Sequence, residues 1–216
     1  MKENLKKRTF TSILLLLLLF FSFTNNYLLG YVLMVFAIFS VIEFSGIMKI
    51  IFKNKKILNF FVNLIFIFYI FYFSTTFLVL SSSVYLKILI FVILLTCIAS
   101  DIGGFVFGKI FKGPRLSKIS PKKTISGAIG SLILSSIFLN FLIYYLTKNF
   151  DPNIIIIGLV TSISCQAGDL FFSFLKRKSL LKDTGNFLPG HGGILDRIDG
   201  MLIGIPLGFL TLLTIY

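Results

Sequence analysis

Acidic and basic side chains are concentrated in one stretch of this sequence, Gln166–Gly200. The stretch holds four of the eight acidic residues of the chain, and its only histidine, His191. The four carboxylates belong to Asp169, Asp183, Asp196 and Asp199. Carboxylates bind Mg²⁺, which takes its remaining ligands from waters and phosphates, and Lys and Arg neutralise other phosphate oxygens. We therefore expect phosphate chemistry here. A network of interfacial salt bridges is the alternative, although ion pairs alone do not account for the glycines.

The spacing within the stretch indicates which side chains meet. One helical face carries the residues that recur at intervals of 3, 4 and 3, namely Gln166, Asp169, Ser173 and Lys176. Asp196 follows a Gly/Pro-rich turn at residues 189–193, which is able to fold back and bring Asp196 towards Asp169. His191 lies in this turn, where it contacts a phosphate or the backbone. Roles as a general base or a metal ligand stay open for it.

The composition excludes a soluble protein. Of the 216 residues, 56% are hydrophobic and 13% are charged, whereas roughly a quarter of the residues in soluble domains are charged. We therefore predict an all-α integral membrane protein that forms a single polytopic domain. The net charge of +13 comes from short clusters of cations between apolar segments, which favours membrane lipids over nucleic acid as partners.

Seven apolar segments predict about seven transmembrane helices, of which the first and last are short for a crossing. The predicted spans are residues 10–23, 27–48, 57–80, 84–100, 125–147, 153–168 and 201–216, and we expect the sixth to continue as a helix to about Lys178. With the N-terminus in the cytoplasm, 19 of the 21 Lys and Arg residues lie on the cytoplasmic side. Two polar loops then face the cytoplasm and form the active site. Residues 1–100 supply N-terminal helices and residues 101–216 the catalytic part.

The first of these loops, Asp101–Thr124, adds further candidates for phosphate binding. Lys122 and Lys123 lie in an S-P-K-K-T run directly before an apolar segment. A helix that begins there aims its N-terminal amides and both lysines at a polyphosphate, and glycines at 103, 104 and 108 let backbone amides approach it. The alternative is that these cations only set the topology. Asp101 ends an apolar span, so it is either a functional residue or a helix cap.

The second loop closely resembles the signature of the phosphatidate cytidylyltransferases, also called CDP-diacylglycerol synthases. The pattern S-x-x-K-R, K-D-x-G and P-G-H-G-G-x-x-D-R-x-D matches 27 consecutive residues, Ser173–Asp199, without a gap. The first loop resembles the family through Asp101, the Gly-Lys pair at 108–109 and the S-P-K-K-T run. It departs from the family at Ile102, where Ser or Thr is usual, and at Ser126, where Glu is usual.

The resemblance implies transfer of CMP from CTP to phosphatidate, which gives CDP-diacylglycerol and pyrophosphate in phospholipid biosynthesis. It implies a multi-pass, dimeric enzyme of the cytoplasmic (inner) membrane that needs Mg²⁺, with a second, monovalent cation. It makes Asp169 and Asp196 the metal ligands. For the reaction we expect Asp183 and Asp199 to be supporting ligands or to orient Lys and Arg. The expected contacts to the substrates come from Asp101, Lys122, Lys123, Ser173, Lys176, Arg177, His191 and Arg197.

Two other functions fit parts of the sequence. Another CTP-using membrane enzyme, such as a polyprenol kinase or a different lipid phosphotransferase, needs similar groups for phosphate binding. A transporter needs ionisable groups near the middle of several spans. Glu43 and Lys87 instead lie near the ends of their predicted spans, so the sequence favours an enzyme.

Overall fold

The regular secondary structure of the described residues is α-helical, and two polar loops interrupt it after α4 and α6. A computed structural model describes residues 2–190 and 192–216, in which there are seven α-helices and no β-strand. The helices are α1 (Lys2–Thr24), α2 (Asn26–Ile51), α3 (Lys56–Leu80), α4 (Val84–Phe111), α5 (Ile125–Thr147), α6 (Asn153–Lys178) and α7 (Leu195–Ile215). The predicted all-α class is confirmed.

Length and hydropathy make this an integral membrane protein. Within the described ranges, the six helices from α2 to α7 are long and apolar enough to cross a bilayer, while the apolar part of α1, Thr9–Thr24, is shorter. Large apolar side chains on α3, such as Phe60, Ile65 and Phe68, are exposed. A helix with an exposed apolar surface needs lipid around it. The number of helices and the short first segment agree with the prediction. The last segment is not short as predicted, because it belongs to the 21-residue helix α7.

The end of α4 and the start of α7 differ from the predicted spans, and both differences move acidic residues into helices. The fourth helix does not end at Ser100 but continues to Phe111, so Asp101 lies within α4 and is not a helix cap. The last helix begins at Leu195, so Asp196 belongs to its first turn. The prediction ends each span where a charged residue lowers the hydropathy, but a helix continues for as long as its backbone hydrogen bonds do.

The chain forms two compact units, each built from separate stretches of sequence. The first unit contains Met1–Lys87 and Leu175–Ile198, and the second contains Ile88–Phe174 and Asp199–Tyr216. In the first unit, the rings of Phe44 on α2 and Phe66 on α3 stack with their centroids 3.8 Å apart. The second unit has an apolar core formed by Val92, Leu139, Ile154 and Ile157.

Glycines in α4 and α5 bring these two helices into close contact. A Cβ atom at Gly103 would lie 2.6 Å from the carbonyl oxygen of Gly130, and a Cβ at Gly104 would lie 2.7 Å from the hydroxyl oxygen of Ser131. Small residues at such positions allow helix backbones in membranes to approach closely. The expectation that Gly103 opens the backbone to a ligand is therefore wrong, because Gly103 is buried between α4 and α5.

Replacing Gly130 by Ala is expected to lower the melting temperature of the protein in detergent. The new Cβ would overlap the Cβ of Phe107, so α4 and α5 have to separate. Overpacking of this kind destabilises a core by about 1–3 kcal/mol. Gly30→Ala in α2 is the control, because its Cβ would meet only Leu78 Cδ1 at 3.5 Å, an ordinary contact. Equal melting temperatures for the two variants would contradict the close packing of α4 and α5.

Candidate active site

A cavity of about 330 Å³, lined by both polar and apolar groups, lies between α4, α5 and α6 of the second unit. Four residues predicted from the sequence line it, which are Asp101, Lys122, Lys123 and Asp169. Ser120, Thr124, Ser131 and Gln166 also face the cavity. The cavity therefore combines two acids, two cations and several hydrogen-bonding groups, which is the composition that a phosphorylated ligand with a metal ion requires.

The loop before α5 positions the two lysines. Thr124 is the N-cap of α5, and its hydroxyl accepts a hydrogen bond from the amide of Gly127 at 3.1 Å. The loop folds back on this end of the helix, because the amide of Leu116 donates to the carbonyl of Lys123 at 2.8 Å. Lys122 is exposed and Lys123 is half-buried. Their ammonium charges add to the partial positive charge of the helix N-terminus, which attracts anions.

Asp169 on α6 is the central acid of the cavity. Its Oδ2 accepts a hydrogen bond from the ammonium of Lys123 at 2.7 Å, and its side chain is 19% exposed. Its Oδ1 lies against α7, where a Cβ at Gly200 would approach it to 2.8 Å. A carboxylate with so little exposure in a membrane protein needs a cation beside it. Lys123 provides that charge, and it keeps the Asp169 carboxylate directed towards the cavity.

A buried network of hydroxyl groups joins the three helices next to the cavity. The hydroxyls of Ser100 on α4 and Ser162 on α6 are 2.7 Å apart, and Ser131 on α5 donates to the carbonyl of Ser100 at 2.7 Å. Gln166 donates to Ser162 at 3.3 Å. Polar side chains that bond across membrane helices fix their relative positions. The sequence analysis did not identify these serines, and their only signal is a small polar residue within an apolar span.

Asp196 is the central acid of the first unit. Its Oδ1 accepts from the ammonium of Lys176 at 2.6 Å, and its Oδ2 accepts from the amides of Thr184 at 2.8 Å and Gly193 at 3.1 Å. The Asp196 side chain is 7% exposed and that of Lys176 is 12% exposed. Both carboxylate oxygens are thus engaged, and they tie the polar loop after α6 to the start of α7.

The Gly-rich turn after α6 is closed by a backbone hydrogen bond and by two left-handed glycines. Gly190 and Gly192 have φ angles of 77° and 84°, a left-handed conformation that favours glycine. The amide of Leu188 donates to the carbonyl of Gly192 at 2.9 Å and closes the turn. A Cβ at Gly192 would lie 3.4 Å from that of Asp183, whose side chain is exposed. The prediction for His191 lies outside the described residues.

The other predicted site residues differ in how exposed their side chains are. Arg177 at the end of α6 and Arg197 in the first turn of α7 are exposed. Ser173 is half-buried on α6. Asp199 is buried, and its Oδ1 accepts from the amide of Gly200 at 3.0 Å. Ser173 and Asp199 belong to the second unit, but neither lines its cavity.

One acidic residue in the first unit has contacts that the sequence analysis did not anticipate. Glu43 on α2 is buried, and its carboxylate accepts a hydrogen bond from the hydroxyl of Thr184 at 2.7 Å. The hydroxyl oxygen of Thr184 also lies 3.0 Å from Oδ2 of Asp196. The signal for Glu43 was present in the sequence, because it is the only acid within an otherwise apolar α2.

The acidic residues fit a Mg²⁺ site that a substrate completes. Within residues 2–190 and 192–216, no group of three or more His, Cys, Asp or Glu side chains has metal-binding geometry. Mg²⁺ needs no such cage, since it usually binds one or two carboxylates and fills its coordination with waters and phosphates. Asp169 suits this role because its carboxylate lines the cavity and already attracts the cation of Lys123.

Comparison with known proteins gives the family of this chain. The model of the cytidylyltransferase family matches residues 2–215. The chain is 39% identical over 130 residues to a phosphatidate cytidylyltransferase of Rickettsia felis, which covers 55% of this chain and 56% of that protein. It is 44% identical over 112 residues to a phosphatidate cytidylyltransferase of Staphylococcus haemolyticus, which covers 50% of this chain and 42% of that protein.

A phosphatidate cytidylyltransferase of Helicobacter pylori strain J99 is also similar. It is 37% identical over 112 residues, which are 52% of this chain and 42% of that protein. The chain thus aligns with about half the length of the curated relatives it matches. Since the family model extends over nearly every residue, the chain belongs to the cytidylyltransferase family.

Proposed function

We propose that this protein transfers CMP from CTP to phosphatidate and releases pyrophosphate. The observation that carries the proposal is the cavity that contains Lys122, Lys123 and Asp169 at the N-terminus of α5. Two cations and a helix N-terminus suit a triphosphate, and the carboxylate suits the metal ion that accompanies it. Membership of the cytidylyltransferase family and the names of three relatives support the same reaction.

In this reaction an oxygen of the phosphatidate phosphate attacks the α-phosphorus of CTP. The new oxygen–phosphorus bond forms as the bond to the β-phosphate breaks, and pyrophosphate leaves with that electron pair. A phosphate monoester is mostly dianionic at neutral pH, since its second pKa is near 6, so the nucleophile needs little help from a base. The barrier is the approach of two anions. Lys122 and Lys123 lower it by neutralising phosphate oxygens.

Mg²⁺ supplies additional positive charge to the triphosphate when it is bound. We propose Asp169 and Asp196 as its protein ligands, with a monovalent cation in a second site. Lys123 and Lys176, the ammonium partners of these two acids, hold the carboxylates in place before the metal arrives. Arg177 and Arg197 are exposed at helix ends, and we propose that their guanidinium groups contact the lipid phosphate, whose geometry they match.

The membrane scaffold suits the second substrate. Phosphatidate keeps its acyl chains in lipid while its headgroup enters a polar site, and six described helices are able to span a bilayer. We place the polar loops on the cytoplasmic side of the inner membrane, because 19 of the 21 cations then lie inside. The resemblance to dimeric enzymes also leads us to propose a homodimer, which crosslinking in membranes would test.

The reaction is tested with purified protein, phosphatidate vesicles, Mg²⁺ and CTP labelled at either the α- or the γ-phosphate. We expect α-label to enter the lipid, γ-label to remain in the aqueous phase, and one pyrophosphate to form per lipid product. Transfer of γ-label to the lipid would instead show a kinase. Addition of unlabelled ATP, GTP or UTP is expected to compete less well than unlabelled CTP.

A further inference from the structure

Glu43 is a buried acid whose carboxylate is surrounded by hydrogen-bond donors. It is 7% exposed, in the half of α2 that leads to Ile51. Oε2 accepts from the hydroxyl of Thr184 at 2.7 Å and from the amide of Leu195 at 2.9 Å, and Oε1 accepts from the amide of Ile194 at 3.0 Å. A buried carboxylate with three donors is a fixed structural element, because loss of the acid leaves the donors without partners.

Two of the donors belong to the start of α7. The first amides of a helix have no partner within that helix, and a side-chain oxygen usually accepts from them. Leu195 is the first residue of α7 and Ile194 precedes it. Glu43 provides this cap from α2, more than 150 residues earlier in the sequence. Its negative charge also complements the positive end of the α7 dipole.

Two glycines of the polar loop leave room for the Glu43 carboxylate. A Cβ at Gly185 would lie 2.6 Å from Oε1 of Glu43. A Cβ at Gly193 would overlap both Oε2 of Glu43 and the hydroxyl oxygen of Thr184. Glycine is therefore required at these two positions for steric reasons, which ion pairing between Asp and Lys does not explain. The loop closes around an acid that comes from a distant helix.

Thr184 connects Glu43 to Asp196. Its hydroxyl oxygen lies 2.7 Å from Oε2 of Glu43 and 3.0 Å from Oδ2 of Asp196. A hydroxyl group has one hydrogen to donate, so the two carboxylates compete for it. The shorter distance favours Glu43 as the acceptor. Asp196 then keeps its backbone donors and Lys176, and its negative charge is not weakened by the hydroxyl.

We propose that Glu43 is a positioning residue for Asp196. It caps α7, fixes the loop through Gly185 and Gly193, and directs the hydrogen of Thr184 away from the Asp196 carboxylate. By holding Asp196 in place, Glu43 lowers the Mg²⁺ concentration that activity requires, and this effect rests on the proposed CMP transfer. The cap of α7 and the fit of the loop around Glu43 do not depend on that proposal.

The first test compares Glu43→Gln with the wild type in the purified full chain. Gln keeps the size of Glu, but its NH₂ group must face one of the donors, which are Thr184, Ile194 and Leu195. We expect the Mg²⁺ concentration for half-maximal activity to rise about 10–100-fold, as it does when the hydrogen-bond partners of metal ligands are removed. A residue that only stabilises the fold would change the yield of folded protein and leave this concentration unchanged. Gly46→Ala on the same helix is the control, because no atom lies within 4 Å of its Cβ.

A second measurement does not depend on activity. Hydrogen exchange of the peptide that contains Ile194 and Leu195 is expected to be faster in Glu43→Gln than in the wild type and in Gly46→Ala. A double-mutant cycle adds a steric test: Gly185→Ala is expected to lower the melting temperature in the wild type and to lower it much less in Glu43→Ala, where the overlapping carboxylate is absent.

The outcomes of these experiments distinguish the proposed CMP transfer from the proposed role of Glu43. If the wild type transfers no CMP but exchange and the cycle behave as expected, the proposed function fails and the cap stands. If exchange is faster but the Mg²⁺ requirement of an active Glu43→Gln is unchanged, Glu43 caps α7 without positioning Asp196, and the proposal is overturned. Additive effects of Gly185→Ala and Glu43→Ala, with unchanged exchange, would overturn it as well.

Discussion

Replacing Asp169 by Asn is expected to reduce CMP transfer at least about 100-fold while the protein stays folded. The Asn side chain keeps the shape of Asp but removes the negative charge that we assign to the metal ion, and loss of one electrostatic group at a reacting centre has an effect of this size. The measurement is the initial rate of CDP-diacylglycerol formation at saturating CTP and phosphatidate, over a range of Mg²⁺ concentrations.

Stability should change little in this variant. Lys123 is 31% exposed, so water solvates its ammonium when the partner is neutral, and a partly exposed pair contributes about 1 kcal/mol or less. Asp151→Asn is the matched control: it removes the same charge from the turn between α5 and α6, where Tyr216 donates to Asp151. Wild-type activity in Asp169→Asn, or an equal loss in both variants, would remove Asp169 from the site.

The sequence predicts the helices well because their cause is local. About 20 apolar residues are needed to cross a bilayer, and long runs of that kind mark α2 to α7 in the described chain. The end of α4 and the start of α7 are harder to predict. Hydropathy indicates whether a segment prefers lipid or water, but it does not indicate where the backbone hydrogen bonds of a helix end. Asp101 is polar, but α4 continues past it as Gly103 and Gly104 pack against α5.

The candidate site is only partly predictable for a related reason. Spacing places Asp169 and Lys176 on one helix, and α6 confirms this. It does not reveal that Lys123, 46 residues away from Asp169, is the partner of that acid. Glu43 is harder still, since its amide donors lie 151 and 152 residues away. Contacts of this kind depend on how helices meet, and the pattern of one segment does not encode them.

Replacing Asp196 by Ala is expected to lower both stability and activity, by two separable routes. Asp196 and Lys176 form an ion pair with little exposure. Removing one member of a buried pair costs about 3–5 kcal/mol, because the other charge remains without compensation. The amides of Thr184 and Gly193 lose their acceptor too. A lower melting temperature in detergent and a loss of CMP transfer are the expected results.

The double variant Asp196→Ala with Lys176→Met separates these two effects. Met is similar in length to Lys and carries no charge, so the buried charge disappears, and exchange of a buried ion pair for apolar residues is often neutral. Much of the lost melting temperature should therefore return. Activity should not return, because the double variant lacks both the carboxylate at position 196 that holds the metal ion and the ammonium at position 176 that is expected to contact a substrate. Recovery of both properties would show that Asp196 acts only through its ion pair, and the assignment of Asp196 as a metal ligand would then be wrong.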